Sequence, residues 1–219
     1  MSALEKHTSL DRTFVSAFFQ AEERWEHFFS KSRIAAKKID YERLEASKLL
    51  IYAKALSRGM REAMVRSYGE NGVNRLVYGL AKNAGAIDAR KILNAHEVLD
   101  PISGLVMGKV LLKTIGWSQI TFSPECIIEE NDENYIICEH NFSFEANCYI
   151  DAQLVTNLPI CHLSCGYYCG WSEISLKSSL AARELDCLAK GDDRCIIVMA
   201  PPYRLFDWIK ETKAKYGIK

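Results

Sequence analysis

All eight cysteines of this 219-residue chain lie between positions 126 and 195, and none lies in the first 125 residues. In a cytosol that keeps thiols reduced, such crowding is more typical of metal binding or buried packing than of a disulfide framework. The first residues lack the apolar segment of a signal peptide, and no apolar run reaches the roughly 18 to 20 residues that span a bilayer. We therefore expect a cytoplasmic protein whose C-terminal third carries the unusual chemistry.

The charges of the chain balance, with 28 Lys and Arg against 28 Asp and Glu. Neutrality removes the long-range attraction that a general nucleic-acid binder or a polybasic membrane protein would show. A basic run in the N-terminal part is more typical of a solvated face than of contact with DNA or a membrane; it consists of Lys31, Arg33, Lys37, Lys38 and Arg43. We expect no direct binding of nucleic acid by this chain and no membrane association. The apolar fraction of 48% is sufficient to bury a core and argues against disorder.

Helical periodicity dominates the N-terminal half of the chain. Aromatic residues recur at helical spacing over residues 14–29 and predict an amphipathic opening helix. The further elements predicted here are a short strand at 33–39 and helices at 41–68, 73–93 and 101–115. Gly69 and Gly116 are expected to end the first and last of these helices, because glycine favours the left-handed conformation found there. Gly79 and Gly85 are expected to let a neighbouring helix approach closely.

The C-terminal half contains short runs of residues with high β-propensity. Two of them flank the acidic segment 129–134 and predict a hairpin. The other predicted elements are a helix at 161–180, a strand at 195–199 and an amphipathic helix at 205–216, while 146–155 is compatible with either a strand or a helix. We therefore predict an α+β domain of helices packed on an antiparallel sheet.

Three cysteines and one carboxylate have spacings that would suit a metal site. Glu184 and Cys187 are three residues apart and would share one face of a helical turn. Cys195 follows after a predicted turn, and Cys161 begins the preceding helix. Three thiolates and a carboxylate would complete a tetrahedral zinc site with no open position, which makes such a site structural. From spacing alone, burial of the cysteines as small apolar residues remains the alternative, and Cys161, Cys165 and Cys169 form a stripe that suits core packing or a rival ligand set.

The same residues belong to a longer pattern, Pro159-Ile160-Cys161 followed by Gly166-Tyr167, Gly170, Glu184-x-x-Cys187, Gly191 and Cys195. This pattern resembles the 4-vinyl-reductase-type domain in the sensor module of phenol- and toluene-responsive, enhancer-dependent transcription activators. Upstream, Ser143-Phe144-Glu145-Ala146 resembles a signature of that module, and Asp100-Pro101 with Gly108 resembles its GP…G segment. Arg33-Ile34 and the helices that contain Gly79 and Gly85 resemble its N-terminal part. The resemblance extends over about residues 30 to 200.

The resemblance implies that Cys161, Glu184, Cys187 and Cys195 bind one structural zinc ion. It also implies a fold related to subunits of the transport-protein-particle tethering complex, a homodimer formed by the N-terminal half, and a small aromatic effector in a buried pocket beside the zinc. The corresponding division of the chain is a helical extension at 1–30, a dimerisation part at 31–116, a zinc-containing part at 117–200 and a C-terminal helix at 201–219. No role is assigned to Cys126, Cys138, Cys148, Cys165 or Cys169.

The chain departs from the phenol-sensing pattern at the two polar positions that hold the effector hydroxyl in that family. Ungapped matching places them at Gly104 and Glu139, so phenol itself is not the expected ligand. His140, beside Glu139, is a candidate hydrogen-bonding residue, with a solvated strand end as the alternative. Tyr167 and Trp171 are candidate pocket residues, with core packing as the alternative.

We expect a zinc-stabilised sensor or regulatory domain that binds a small aromatic or apolar molecule and acts in transcription regulation through a ligand-dependent conformational shift. The chain contains no Walker A pattern and no recognisable helix-turn-helix, so no output domain is predicted within it. A stand-alone enzyme or biosynthetic accessory protein of the 4-vinyl-reductase type is the first alternative. No nucleotide fingerprint or catalytic set supports enzymatic activity. A structural scaffold of the tethering type is the second alternative.

Overall fold

The computed structural model describes residues 22–23, 56–128 and 133–218. The predicted strand at 33–39, the start of the helix predicted at 41–68 and most of the acidic segment 129–134 lie outside the described residues. The opening helix predicted at 14–29 also lies outside them, except for the helical pair Glu22 and Glu23. None of the helices within the described ranges is both long and apolar enough to cross a bilayer.

The described chain alternates between helices and short strands. The helices are α1 (which includes 56–68), α2 (Glu70–Ala95), α3 (Pro101–Thr114), α4 (Phe144–Ile150), α5 (His162–Leu176) and α6 (Leu205–Tyr216). The strands are β1 (Ser118–Phe122), β2 (Ile136–Ser143), β3 (Ala181–Asp186) and β4 (Cys195–Ala200). The predicted α+β class is confirmed, and the segment that was compatible with a strand or a helix is the helix α4.

The strands form one antiparallel sheet in the order β1-β2-β4-β3. Every residue of β4 is buried, because β4 is a central strand and both faces of the sheet are covered. One face packs against α2, α3 and α5, and the other packs against α6. The predicted hairpin is present as the β1–β2 pair, which continues into a bridge between Ile127 and Tyr135.

Two helix boundaries follow directly from local sequence. Asp100 caps α3 by accepting a hydrogen bond of 2.7 Å from the Ser103 N–H, and Pro101 occupies the first turn, where no N–H is needed. Gly69 separates α1 from α2 with φ +71°, and Gly116 follows α3 with φ +75°. Both glycines therefore act as the predicted breaks.

Helices α2 and α5 pack at very short range because glycines lie on their shared face. A Cβ atom on Gly85 would lie 2.8 Å from the Tyr167 carbonyl carbon, and one on Gly170 would lie 2.8 Å from the Lys82 carbonyl carbon. The predicted close approach is thus confirmed at Gly85. It is wrong at Gly79, where nothing lies within 4 Å, because this residue is on the exposed face of α2.

The C-terminal helix α6 is held on the outer face of the sheet by aromatic contacts. The rings of Trp208 and Tyr135 stack with centroids 3.9 Å apart. The Tyr135 and Thr212 hydroxyls lie 2.6 Å apart within the same buried contact. Helix α6 is therefore packed against the sheet rather than extended away from it.

Two predictions for the region around Cys187 need correction. The helix predicted at 161–180 ends at Leu176, because Lys177 adopts the left-handed conformation with φ +54°. Glu184 and Cys187 do not share a helical turn, because Glu184 lies on strand β3 and Cys187 follows directly after it.

Candidate metal centre and neighbouring cavities

Three separate segments bring Cys161, Glu184, Cys187 and Cys195 together. Cys161 is the N-cap residue of α5, Glu184 belongs to β3, and Cys195 is the first residue of β4. One ligand atom from each of the four side chains lies within 4.8 Å of the others, and all four residues are buried. We call this set the Cys3Glu cluster.

A β-bulge accounts for the shared orientation of Glu184 and Cys187. Side chains three positions apart on a regular strand point to opposite faces. The register between β3 and β4 shifts between Glu184 and Asp186, which pair with Ile197 and Ile196 respectively. One extra residue in the bulged strand reverses the alternation, so both ligands face the same side.

The sulfur atoms have the separations that a tetrahedral zinc site requires. The Sγ atom of Cys161 lies 3.8 Å from that of Cys187 and 3.7 Å from that of Cys195, and the third separation is 4.0 Å. Zn–S bonds of about 2.3 Å in a tetrahedron correspond to S–S separations of about 3.8 Å.

Glu184 completes the donor set with an oxygen that has no other partner. Its Oε2 accepts a hydrogen bond of 2.7 Å from the Cys161 N–H, whereas its Oε1 is buried without a hydrogen-bond partner. A buried carboxylate oxygen is costly to leave unpaired. The donor set and its geometry therefore fit a divalent metal ion.

The protonation of the cluster is strongly perturbed in the metal-free chain. Burial raises the pKa of the Cys161 thiol and of the Glu184 carboxyl well above their ordinary values. Hydrogen bonds donated by Cys161 and Cys195 lower the pKa of the Cys187 thiol far below its ordinary value. A dication would take the place of these protons and favour deprotonation of all the ligands.

Hydrogen bonds from the surrounding backbone and side chains orient the sulfur ligands. The Ser143 hydroxyl lies 3.1 Å from the Cys161 Sγ, and the Leu188 N–H donates to the Cys195 Sγ at 3.3 Å. The Cys187 N–H donates to the Asp192 carboxylate at 2.8 Å. Such outer contacts fix the positions of metal ligands and are typical of established metal sites.

Glu145, on α4, accepts hydrogen bonds from the start of α5 next to the cluster. The sequence patterns assigned no role to this residue. Its carboxylate accepts hydrogen bonds from the Leu163 N–H at 3.0 Å and from the Ser164 N–H and hydroxyl at 2.7 Å each. Burial raises the pKa of Glu145 to about 7, and the hydrogen bonds from Ser164 and Leu163 oppose that shift. Because Glu145 precedes α5 by many residues in the chain, only its place in the Ser143–Ala146 motif could have indicated it.

The structure brings three of the five predicted pocket residues together, because Trp171 contacts Gly104 and its ring centroid lies 6.5 Å from that of Tyr167. The Gly104 carbonyl accepts a hydrogen bond of 2.8 Å from the Trp171 indole N–H. Trp171 is completely buried, and a Cβ atom on Gly108 would lie 2.7 Å from its ring. The Trp171 side chain therefore fills the space beside α3.

Tyr167 also has a polar contact outside this group, and the other two predicted pocket residues, Glu139 and His140, lie on β2. The Tyr167 hydroxyl donates to the Asp88 carboxylate at 2.8 Å, and Glu139 forms an ion pair of 3.1 Å with Arg194. His140 is fully buried, with its Nδ1 3.1 Å from the Ser118 hydroxyl and its Nε2 without a hydrogen-bond partner. Burial lowers the pKa of His140 to about 4, so its ring is neutral at pH 7.

Two cavities near the cluster share His162 in their described linings. The first has a volume of about 340 Å³ and a largely apolar lining. We call it the apolar cavity; its lining includes Leu56, Met60, Met64, Val77, Ile160 and Leu163. The second has a volume of about 400 Å³, lies between α2, α5 and β3, and has a mixed polar and apolar lining that includes Arg75 and Arg183. We call it the polar cavity.

Comparison with known proteins finds similarity at low sequence identity. No protein-family model matches the chain. A curated relative, the phenol regulator MopR from Acinetobacter guillouiae, is 21% identical over 164 residues, which is 75% of this chain. The match covers 29% of MopR, so this chain spans less than a third of the relative's length.

Two solved structures are also similar. The phenol-responsive sensory domain of the transcription activator PoxR, determined with phenol, matches with a TM-score of 0.63 and 21% identity over 73% of this chain and 79% of that domain. A vinyl-4-reductase family protein from Methanocaldococcus jannaschii matches with a TM-score of 0.39 and 15% identity over 88% of this chain and 96% of that protein. The resemblance predicted from the sequence is confirmed, and this chain shares the fold of the PoxR sensory domain.

Proposed function

We propose that this chain is a sensor domain that binds a small aromatic or apolar molecule and regulates an attached or associated partner. The apolar cavity beside the Cys3Glu cluster is the observation that carries the proposal. The shared fold with a domain that responds to phenol supports it, as does the similarity to the phenol regulator MopR.

The size and lining of the apolar cavity suit a small ring compound. Ligand pockets in proteins are typically about 300 to 1,000 Å³ and mostly apolar, and a cavity of about 150 Å³ is large enough for benzene. The volume of about 340 Å³ therefore leaves room for a substituted or bicyclic ring.

The polar groups expected for phenol recognition are not available in this chain. Gly104 has no side chain, and the carboxylate of Glu139 is paired with Arg194. We therefore infer that the effector is not phenol. His140 has a buried Nε2 without a hydrogen-bond partner, but it does not line the apolar cavity, so we do not place it in contact with the effector there.

Ligand binding would be transmitted through the residues next to the cluster. Ile160 lines the apolar cavity, packs in the same apolar group as Cys195, and precedes the ligand Cys161 in the chain. Cys195 begins β4, and β4 leads into α6. An effector that favours one arrangement of Ile160 would shift the population of α6 positions, provided that it binds the two arrangements with different affinity.

We infer that the bound metal is one structural zinc ion held by Cys161, Glu184, Cys187 and Cys195. Zinc supplies four strong bonds that join α5, β3 and β4. Because the chain provides all four ligands, no coordination position is left for a substrate or a reactive water.

We also infer a homodimer formed by the helical part at 31–116. Apolar side chains on one side of α2 are exposed in the described part of the chain; they are Leu76, Leu80 and Ile87. An exposed apolar stripe on a helix is typical of a protein–protein contact surface. Sedimentation of the wild type and of a Leu80→Glu variant tests this inference, and a monomeric wild type would contradict it.

The ligand proposal is tested by calorimetry and thermal shift with a panel of substituted benzenes and naphthalenes. The expected result is saturable binding to the wild type and at least tenfold weaker binding to Met64→Trp, which fills the apolar cavity. Leu99→Trp is the matched control, because Leu99 is 83% exposed and does not line this cavity. The absence of binding to the wild type, or equal affinity in all three proteins, would contradict the proposal.

The metal proposal is tested by elemental analysis and by Cys187→Ser. We expect one zinc per chain, and we expect Cys187→Ser to unfold the domain, because structural zinc contributes on the order of 10 kcal/mol. Cys126→Ser is the control, since Cys126 is equally buried but lies outside the cluster. A Cys187→Ser protein that retains zinc and is as stable as Cys126→Ser would show that the assignment is wrong.

A further inference from the structure

The polar cavity contains two guanidinium groups that are not neutralised. Arg75 extends from α2 and Arg183 from β3, and both line the cavity. Neither forms an ion pair or hydrogen bond with another residue in the described part of the chain. Elsewhere, basic residues near this site are paired, as Lys82 is with Glu173 at 2.9 Å and Lys190 is with Asp192 at 2.8 Å.

Two buried polar atoms inside the same cavity lack hydrogen-bond partners. They are the side-chain oxygen of Asn74 and the Nε2 of His162. Rotation of the Asn74 amide by 180° would present its donor instead of its acceptor. Both atoms are therefore available to form a hydrogen bond with a ligand in the cavity.

The remaining lining provides an apolar wall and little negative charge. Leu158, Pro159 and Ala182 form apolar parts of the lining, and Glu184 is the only carboxylate in the described lining. Glu184 is committed to the Cys161 N–H through Oε2 and to the proposed metal through Oε1. The open part of the cavity therefore combines two positive charges, two hydrogen-bonding groups without partners and an apolar surface.

We propose that the polar cavity binds a small organic carboxylate, with its charged group between Arg75 and Arg183 and its apolar body against Leu158 and Pro159. Guanidinium groups match carboxylates in shape and form paired, charge-assisted hydrogen bonds with them. This site shares only His162 with the described lining of the apolar cavity, so it does not depend on the proposed binding of a neutral effector there. It would give the domain a second input that responds to an anion.

The competing explanation is that the two arginines only balance the charge of the metal centre. Three thiolates, one carboxylate and a dication leave a net charge of −2, and nearby cations would offset it. In that case, replacing Arg183 would weaken metal binding, and no added carboxylate would bind.

Benzoate is a suitable probe, with benzamide as its uncharged counterpart of the same shape. In calorimetric titrations of the full metal-loaded chain, we expect benzoate to bind at least about tenfold more tightly than benzamide and to bind more weakly as salt is added. Arg75→Gln and Arg183→Gln should each weaken benzoate binding by about tenfold or more. Arg90→Gln is the matched control, because Arg90 is an exposed residue of the same helix as Arg75 and lies outside the cavity.

Several outcomes would overturn the proposal. One is the absence of benzoate binding to the wild type. If Arg183→Gln also loses metal in that case, the arginines balance the charge of the metal centre. Another is equal affinity for benzoate and benzamide, and a third is an equal loss of affinity in Arg90→Gln. Circular dichroism and metal content are measured on each variant, so that a loss of binding is compared only among folded, metal-loaded proteins.

Discussion

The substitutions Gly85→Ala and Gly79→Ala should have opposite effects on stability, although both residues lie within helix α2. A Cβ atom on Gly85 would lie 2.8 Å from the Tyr167 carbonyl carbon and closer still to its oxygen. A Cβ atom on Gly79 would meet nothing within 4 Å. Comparison of the two variants therefore separates the effect of alanine on the backbone conformation of α2 from its effect on the packing of α2 against α5.

The expected magnitudes follow from these two effects. Alanine stabilises a helix interior by about 1 kcal/mol relative to glycine, so Gly79→Ala should increase the free energy of unfolding by up to that amount. Gly85→Ala has the same advantage but forces α2 and α5 apart, and overpacking of this kind costs about 1 to 3 kcal/mol or more. Tyr167 meets the new atom with its backbone, which cannot rotate away as a side chain could. Because the gain from alanine is the same in both variants, we expect Gly85→Ala to be less stable than Gly79→Ala by the overpacking cost alone, about 1 to 3 kcal/mol or more.

Urea unfolding followed by circular dichroism measures both variants against the wild type. For a domain of this size, a difference of about 1 to 3 kcal/mol corresponds to roughly 2 to 12 °C in Tm. Gly170→Ala should behave as Gly85→Ala does, because its Cβ would lie 2.8 Å from the Lys82 carbonyl carbon. Equal stability of Gly85→Ala and Gly79→Ala would refute the close packing of α2 and α5.

Three other residues give measurable predictions. Glu145→Ala should lower the free energy of unfolding by about 1 to 3 kcal/mol, because three donors at the start of α5 lose their acceptor. Chemical denaturation measures this change, and Glu97→Ala, at an exposed position, is the control. His140 should make the domain less stable as the pH falls from 6.5 towards 4, because over this range the unfolded chain binds a proton that the buried ring does not. The loss should reach about 3 kcal/mol, and a His140→Gln variant with an unchanged dependence of stability on pH would contradict it. Tyr135→Phe should cost about 1 kcal/mol through the lost contact with Thr212, whereas Tyr68→Phe, at a 73% exposed position, should leave the unfolding midpoint unchanged.

Local sequence was sufficient for the elements whose ends are determined by a single residue. Helix α3 begins at Pro101 and ends before Gly116 because the proline and the left-handed glycine act on the backbone directly. The strand β4 was predictable from its run of apolar residues, since a central strand is buried on both faces.

The features that depend on pairing between distant segments could not be predicted in the same way. The spacing of Glu184 and Cys187 indicated a helix, but a bulge opposite β4 produces the same shared orientation on a strand. Trp171 was a candidate pocket residue, yet it fills its own space because Gly108 on another helix leaves room for it. Neither the bulge nor this packing has a local sequence signal.

The four residues of the cluster were identified together by the resemblance, since their spacing left other interpretations open. Their geometry in the structure supports that set over the stripe Cys161, Cys165 and Cys169, because only Cys161 of the stripe belongs to the cluster. Cys165 and Cys169 are buried in the core formed by the helices.

The positions of the ligands along the chain have a consequence for how the domain unfolds. Cys161 and Cys195 are separated by 34 residues, so a bound ion acts as a cross-link within one short stretch of the chain. A cross-link stabilises mainly by reducing the conformational entropy of the unfolded segment that it closes. Chelation should therefore release β3, β4 and the start of α5 before it affects α2 and α3. Hydrogen exchange after chelation would reveal this as early loss of protection between residues 161 and 195, ahead of the helical N-terminal part.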